Sequence, residues 1–212
     1  MSQQDHELTP AEKQKQRRGR ILGALIFAIV LSPMAIAYWV YTTGIGMPAG
    51  TINKGDLLIT PQTANDFDLR EPDGTPWNVA DHKTKWRWLI PGGAKCAEQC
   101  QKNLYLTRQV HLRLAEKAGR VERVYLLLDE ALTPETETFI ATEHPHMPVA
   151  RVNADALRAA IAAAGIAGDA LTDGRYFLMD QEGFVMMSYT PAHTGKDLLD
   201  DIKRMLKYSY ED

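Results

Sequence analysis

Charge is missing from one long stretch of this 212-residue chain: between Arg20 and Lys54 there is no Asp, Glu, Lys or Arg. Cysteine is scarce. Two residues in the whole chain exclude a small secreted scaffold knit by several disulfides. A surplus of one sign of charge is lacking as well, since the formal net charge of −3 is too near neutral for a protein that binds nucleic acid by neutralising phosphates. No zinc-ligand spacing, phosphate-cradling glycine loop or serine-nucleophile elbow occurs, and nothing marks a small-molecule substrate. No internal repeat is visible.

Within the uncharged stretch, only Gly23, Ser32 and Pro33 interrupt the apolar run from Ile21 to Tyr41. A helix of that length reaches across a hydrocarbon core of roughly 30 Å. Lys13, Lys15, Arg17, Arg18 and Arg20 precede it, which places the N-terminus in the cytoplasm and the bulk of the chain on the far side of the membrane. Tyr38, Trp39 and Tyr41 fall at the far interface, where aromatic rings are favoured. Ala35-Ile36-Ala37 resembles a signal-peptidase site, but the apolar run continues through Val40, so a retained anchor is expected. Gly44, Gly46, Pro48, Gly50 and Gly55 mark a linker. The expected organisation is a cytoplasmic basic tail over 1–20, a transmembrane signal-anchor over 21–41, a linker over 42–60 and a periplasmic domain over 61–212. The first 20 residues hold five basic and three acidic groups, leaving −5 on the remainder.

In the exported part, Trp86 to Pro91 reads as a strand stopped by Gly92-Gly93, and Cys96 to Ala118 as a helix ended by Gly119. Val121 to Leu128 suits a strand buried on both faces. Thr133-Pro134-Glu135 opens a second helix. A short strand over Val149 to Val152 precedes an alanine-rich helix, capped by Asp155 and ended by Gly165. Arg175 to Asp180 and Phe184 to Tyr189 flank Gly183 as a hairpin, and Lys196 to Tyr208 closes the chain as an amphipathic helix. Strand–helix–strand units imply parallel pairing, and the hairpin adds antiparallel strands at one side. The expected class is α/β: a thioredoxin-like mixed sheet flanked by helices, behind one N-terminal transmembrane helix.

The constellation with chemical content is Cys96-Ala97-Glu98-Gln99-Cys100. At a helix N-terminus, exposed N–H groups favour thiolate over thiol. Residues i and i+4 share one helix face, so the two sulfurs can meet each other or one soft metal ion. Three readings stand side by side: a structural disulfide, a redox-active pair, and a site for Cu(I). The histidines do not decide among them. His144-Pro145-His146-Met147 groups three candidate ligands but reads as a solvated loop. His111 reads as an exposed mid-helix residue, His193 as a loop residue, and His82 precedes the first strand.

The anchor, the element order, the CAEQC sequence at 96–100 and Tyr176-Phe177-Leu178-Met179-Asp180 before Gly183 resemble the SCO/SenC thioredoxin-like copper chaperones, which assist assembly of the copper centre of cytochrome c oxidase. Cys96 and Cys100 match that family's two thiolate ligands, while its ligating His falls near Thr172 or Asp173 here. The stretches Leu104 to Val110, Arg120 to Val124, Gly183 to Tyr189 and Asp200 to Lys207 are similar to a smaller bacterial group, the cytochrome oxidase-associated transmembrane or assembly proteins. The resemblance implies an assembly factor rather than an enzyme, in the bacterial inner membrane, with an oxidase subunit or another assembly factor as partner. Cys96 and Cys100 would bind Cu(I) transiently or handle the thiols of a client copper site. The alternatives are a periplasmic thiol–disulfide oxidoreductase using the same pair, and a docking module with a structural disulfide.

Overall fold

The computed structural model describes residues 10–46, 52–78, 85–129, 131–166, 168–169 and 171–209, with the side chains of 11–13 left aside. The chain divides into two compact units, Met1–Thr51 and Ile52–Asp212.

The first unit is one helix, α1 (Pro10–Thr43), whose segment Gln14–Thr43 is long and apolar enough to cross a membrane. It extends beyond the 21 residues of the apolar run because the basic residues before Ile21 continue the same helix. Pro33 lies inside it and has no N–H to give to the carbonyl of Ile29, one turn back. The Ser32 hydroxyl donates to that carbonyl at 3.1 Å. Thr42 and Thr43 likewise turn their hydroxyls onto the carbonyls of Tyr38 and Trp39, at 3.0 and 2.7 Å. The hydroxyls of Ser32, Thr42 and Thr43 are thus satisfied within the helix itself.

The second unit is built on a six-stranded sheet in the order β1-β6-β5-β2-β3-β4. Strands β2 (Trp86–Gly92), β3 (Val121–Leu127) and β4 (Val149–Arg151) run parallel; β5 (Tyr176–Met179) is antiparallel to β2. Strands β6 (Phe184–Tyr189) and β1 (Asp56–Thr63) continue the sheet antiparallel on that side. Helices α2 (Glu98–Leu112), α3 (Pro134–Glu143), α4 (Ala154–Ala163) and α5 (Gly195–Tyr208) complete the unit. Alternate residues of the central strands serve two cores. Trp88, Ile90, Tyr125, Leu178 and Met187 pack with Leu104 of α2 and with Leu198 and Ile202 of α5. Leu89, Val124, Phe177 and Val185 pack with Phe67, Trp77 and Leu157 of α4. Both faces of β2 and β3 are therefore buried, which is why they read as near-continuous apolar runs.

Three local expectations need correction. Strand β1 begins inside the 42–60 segment whose glycines mark a linker; its buried residues are Leu58 and Gln62, with Ile59 83% exposed, so it lacks the alternation of a half-buried strand. The helix expected over Cys96 to Ala118 starts at Glu98 and stops at Leu112. Ala115 then takes φ 50°, and a 3-10 turn follows over Ala115–Arg120, held by the His111 imidazole, whose Nε2 lies 2.9 Å from the Ala118 carbonyl and 3.0 Å from that of Val121. Asn153, not Asp155, caps α4, accepting from the N–H groups of Asp155 and Ala156. Position 155 is inside the first turn, where a carboxylate answers the helix dipole but no longer precedes the free amides.

Candidate functional site

The site grows from the C-terminal end of β2. A Cβ at Gly92 would overlap the Tyr125 ring of β3, so only glycine lets that strand end pass across the tyrosine. The loop after it is held at three points. The Thr133 N–H donates to the Ala94 carbonyl at 2.9 Å, the Ala94 N–H to Asp129 Oδ2 at 2.5 Å, and the Cys96 N–H to Thr136 Oγ1 at 3.3 Å. These bonds tie the loop to the end of β3 and to the first turn of α3, which Thr133 caps.

Cys96 sits one residue before the N-cap Ala97, and Cys100 lies in the first turn of α2. They are joined as a disulfide with Cα atoms 5.4 Å apart. Ala97 has no side chain to cap the helix, so the positive end of α2 meets the cysteine pair without a competing side-chain acceptor. Both cysteines are enclosed, at 3% and 8% exposure, against the same apolar core as Tyr125 and Ile90. The Tyr125 hydroxyl donates to the Gly93 carbonyl at 2.7 Å and stands 3.7 Å from Cys100 Sγ. Burial, with the Asp129 carboxylate nearby, pushes the phenol's pKa up, so it remains a neutral donor. Sequence reasoning passed over this residue. The signal was a lone hydroxyl-bearing ring in the aliphatic run Val124-Tyr125-Leu126-Leu127, because a buried tyrosine needs a partner for its hydroxyl.

Behind the pair, Gln99 Nε2 donates to Asn103 Oδ1 at 2.9 Å, and Asn103 Nδ2 donates to the Gly174 carbonyl at 2.9 Å. Gly174 adopts φ +67°, and a Cβ there would overlap Gln99. The loop carrying Thr172 and Asp173 thus ends against the first turns of α2. Both residues are exposed; the Thr172 hydroxyl donates to the Asp169 carbonyl within its own loop. Among the described residues, no group of three or more His, Cys, Asp and Glu is placed to hold a metal ion. Cys96 and Cys100 can offer a soft cation their two thiolates only in the reduced state.

The histidines lie elsewhere, and two readings of them change. His144 and Met147 are buried rather than solvated, while His146 is exposed with φ 63°. His144 Nδ1 lies 3.2 Å from Arg123 Nη1, and burial plus Arg123 and Arg108 hold its pKa down to about 4. His111 is half-buried and bonded to carbonyls as described, not exposed. His193 accepts from the Thr190 N–H at 2.9 Å and reaches the Lys54 carbonyl with Nε2 at 3.0 Å, so it fastens a loop to the entering chain. His82 lies outside the described residues.

A family model described as "Transmembrane-like, thioredoxin-like, C-terminal domain" matches residues 86–209, from the first residue of β2 to just past α5. The chain belongs to this transmembrane-like, thioredoxin-like family. Solved structures share the fold. Arabidopsis thaliana ScoI with copper bound is 18% identical at TM-score 0.51, covering 71% of this chain and 99% of its own. Yeast Sco1 is 18% identical at 0.52, covering 73% and 97%. Apo Sco1 from Thermus thermophilus is 19% identical at 0.52, covering 74% and 99%. No curated protein matches the chain. The thioredoxin-like class, with an N-terminal helix apolar enough to span a membrane, stands as expected.

Proposed function

We propose that this protein is a membrane-anchored assembly factor for a haem–copper oxidase, facing the periplasm, whose Cys96–Cys100 pair acts on the thiols of a client copper site. The observation that carries this reading is the pair itself: two bonded cysteines at the uncapped start of α2, with the Tyr125 hydroxyl beside Cys100. Exchange with a client is balanced. The dithiol form gives two electrons and two protons to a client disulfide, and the pair returns to the bonded state. The anchor and the sequence resemblance support the membrane and oxidase parts of the reading, and basic residues ahead of the apolar run support the orientation.

Cu(I) as cargo is the second reading. It is favoured by the fold shared with the copper-bound Arabidopsis protein and by the spacing of the two sulfurs. With no third ligand among the described residues, such a complex would be two-coordinate until a client supplied another donor.

One experiment separates these readings: a Cys96→Ser/Cys100→Ser double variant of the full chain, scored for oxidase activity with and without added copper. Loss of activity that copper does not restore is the expected result for thiol handling. Restoration by copper assigns cargo delivery. Unaltered activity with a less stable domain removes both, and leaves a docking module with a structural disulfide.

A further inference from the structure

The cysteine pair lies at one end of the parallel strands; a second constellation lies at the other, about 20 Å away along β2. There a pocket of about 340 Å³ opens between the start of β3, the 3-10 turn before it and the loop after α3. Lys85, His111, Glu122, Arg123 and His146 are among its lining residues.

Arg123 is the unusual member. It is 9% exposed, yet among the described residues no carboxylate pairs with it. Its Nη1 is used by the Leu104 carbonyl at 3.4 Å and by His144 Nδ1 at 3.2 Å. Among the described residues, Nε and Nη2 meet no hydrogen-bond acceptor, and Arg123 lines the pocket. A guanidinium buried without a counter-ion is costly, so such a group usually has an anion to meet. The neighbouring acids, Glu122 on the pocket wall among them, already have cation partners. Glu122 takes Arg87 Nε at 3.2 Å and Lys85 Nζ at 3.5 Å, and Glu143 takes Arg108 at 3.2 Å. Among the described residues, the cations Lys85, Arg87, Arg108 and Arg123 here face the two carboxylates of Glu122 and Glu143. Burial and Arg108 bring the Arg123 pKa down to about 10, which still leaves it charged at neutral pH.

The geometry points to an oxyanion-binding site in this pocket, in which Nε and Nη2 of Arg123 bind a phosphate or carboxylate group in bidentate fashion and Lys85 closes over it from the rim. A fork of two parallel N–H donors matches both oxyanions. The site is independent of the cysteine chemistry.

The test uses the full chain in uncharged detergent micelles, labelled with nitrogen-15 at arginine. Sodium phosphate, sodium acetate and sodium chloride are titrated separately at constant ionic strength, and the Nε–H resonance of Arg123, identified by its loss in Arg123→Lys, is followed. Phosphate or acetate should move that resonance along a saturating curve while chloride leaves it in place. Lys85→Ala should raise the half-saturating concentration by about fivefold, the loss of one rim charge. Earlier saturation by phosphate assigns a phosphate-bearing ligand, and earlier saturation by acetate assigns a carboxylate. If Arg123→Lys does not fold, the test is whether any arginine Nε–H resonance saturates with phosphate or acetate and does so later in Lys85→Ala; none doing so overturns the site. An immobile resonance, or one that all three salts move linearly and equally, overturns the site.

Discussion

The Tyr125 hydroxyl stands 3.7 Å from Cys100 Sγ while donating to the Gly93 carbonyl, so one side chain touches both the sulfur and the loop in front of it. A disulfide sulfur has no proton to give, whereas a reduced Cys100 can donate to the phenol oxygen. The contact therefore favours the dithiol. Tyr125→Phe should lower the reduction potential of the pair by about 20 mV, the equivalent of one hydrogen bond of ~1 kcal/mol. Equilibration against a dithiothreitol couple measures this; a potential that does not fall sinks the assignment.

Cys96 and Cys100 are enclosed, and the loop over residues 93–97 that leads into them is tied down by two side chains. Thr136→Val removes the acceptor of the Cys96 N–H, and Asp129→Ala that of the Ala94 N–H. Each lost anchor, at about 1 kcal/mol, should speed reduction by dithiothreitol about fivefold in the folded protein. Rates equal to wild type in both variants would mean that the sulfurs are reached by another route.

Asp201 is buried and accepts the N–H groups of Lys54 and Gly55, and the Tyr189 hydroxyl at 3.3 Å. Asp201→Ala leaves these donors in an apolar setting. A loss of about 2–3 kcal/mol in denaturant unfolding is expected, with faster tryptic cleavage after Lys54. Cleavage at the wild-type rate would show that the clamp does not hold the entering chain.

His144 gives a pH dependence of known sign. Its pKa is about 4 in the fold against 6.5 as the ordinary value, so the unfolded chain binds the extra proton first. This contribution to stability is complete above pH 6.5 and is lost as pH falls from 6.5 to 4, up to on the order of 3 kcal/mol. Arg123, Arg108 and Glu143 are the charges that face it. In His144→Gln, the slope of unfolding free energy against pH across that window should flatten. An unchanged slope would assign the acid sensitivity to other groups.

What could be read from residues alone follows a physical division. Strands β2 and β3 announce themselves because both faces are buried, and α5 because its Leu198, Ile202 and Leu206 stripe and its Thr194–Asp197 capping box are local signals. Strand β1 does not, since an edge strand with Ile59 outward carries no alternation and its pairing is with β6. The cysteine pair is visible as a spacing, but the ties on the loop before it are not: Thr136 and Asp129 come to it from positions far along the chain. The burial of His144 is hidden for the same reason, because Pro145 and Pro148 advertise a turn and only tertiary packing brings Arg123 against the ring.

The clamp between Lys54 and Asp201 joins positions 147 residues apart. During synthesis, β1 is therefore the earliest strand of its sheet to leave the ribosome, yet β6, the neighbour it pairs with, is the last to be made. Until then its edge is open to unintended pairing. Closing so long a loop comes late in assembly, so a chain stalled or cut before α5 would retain the cysteine motif while lacking the carboxylate that fastens the start of its sheet.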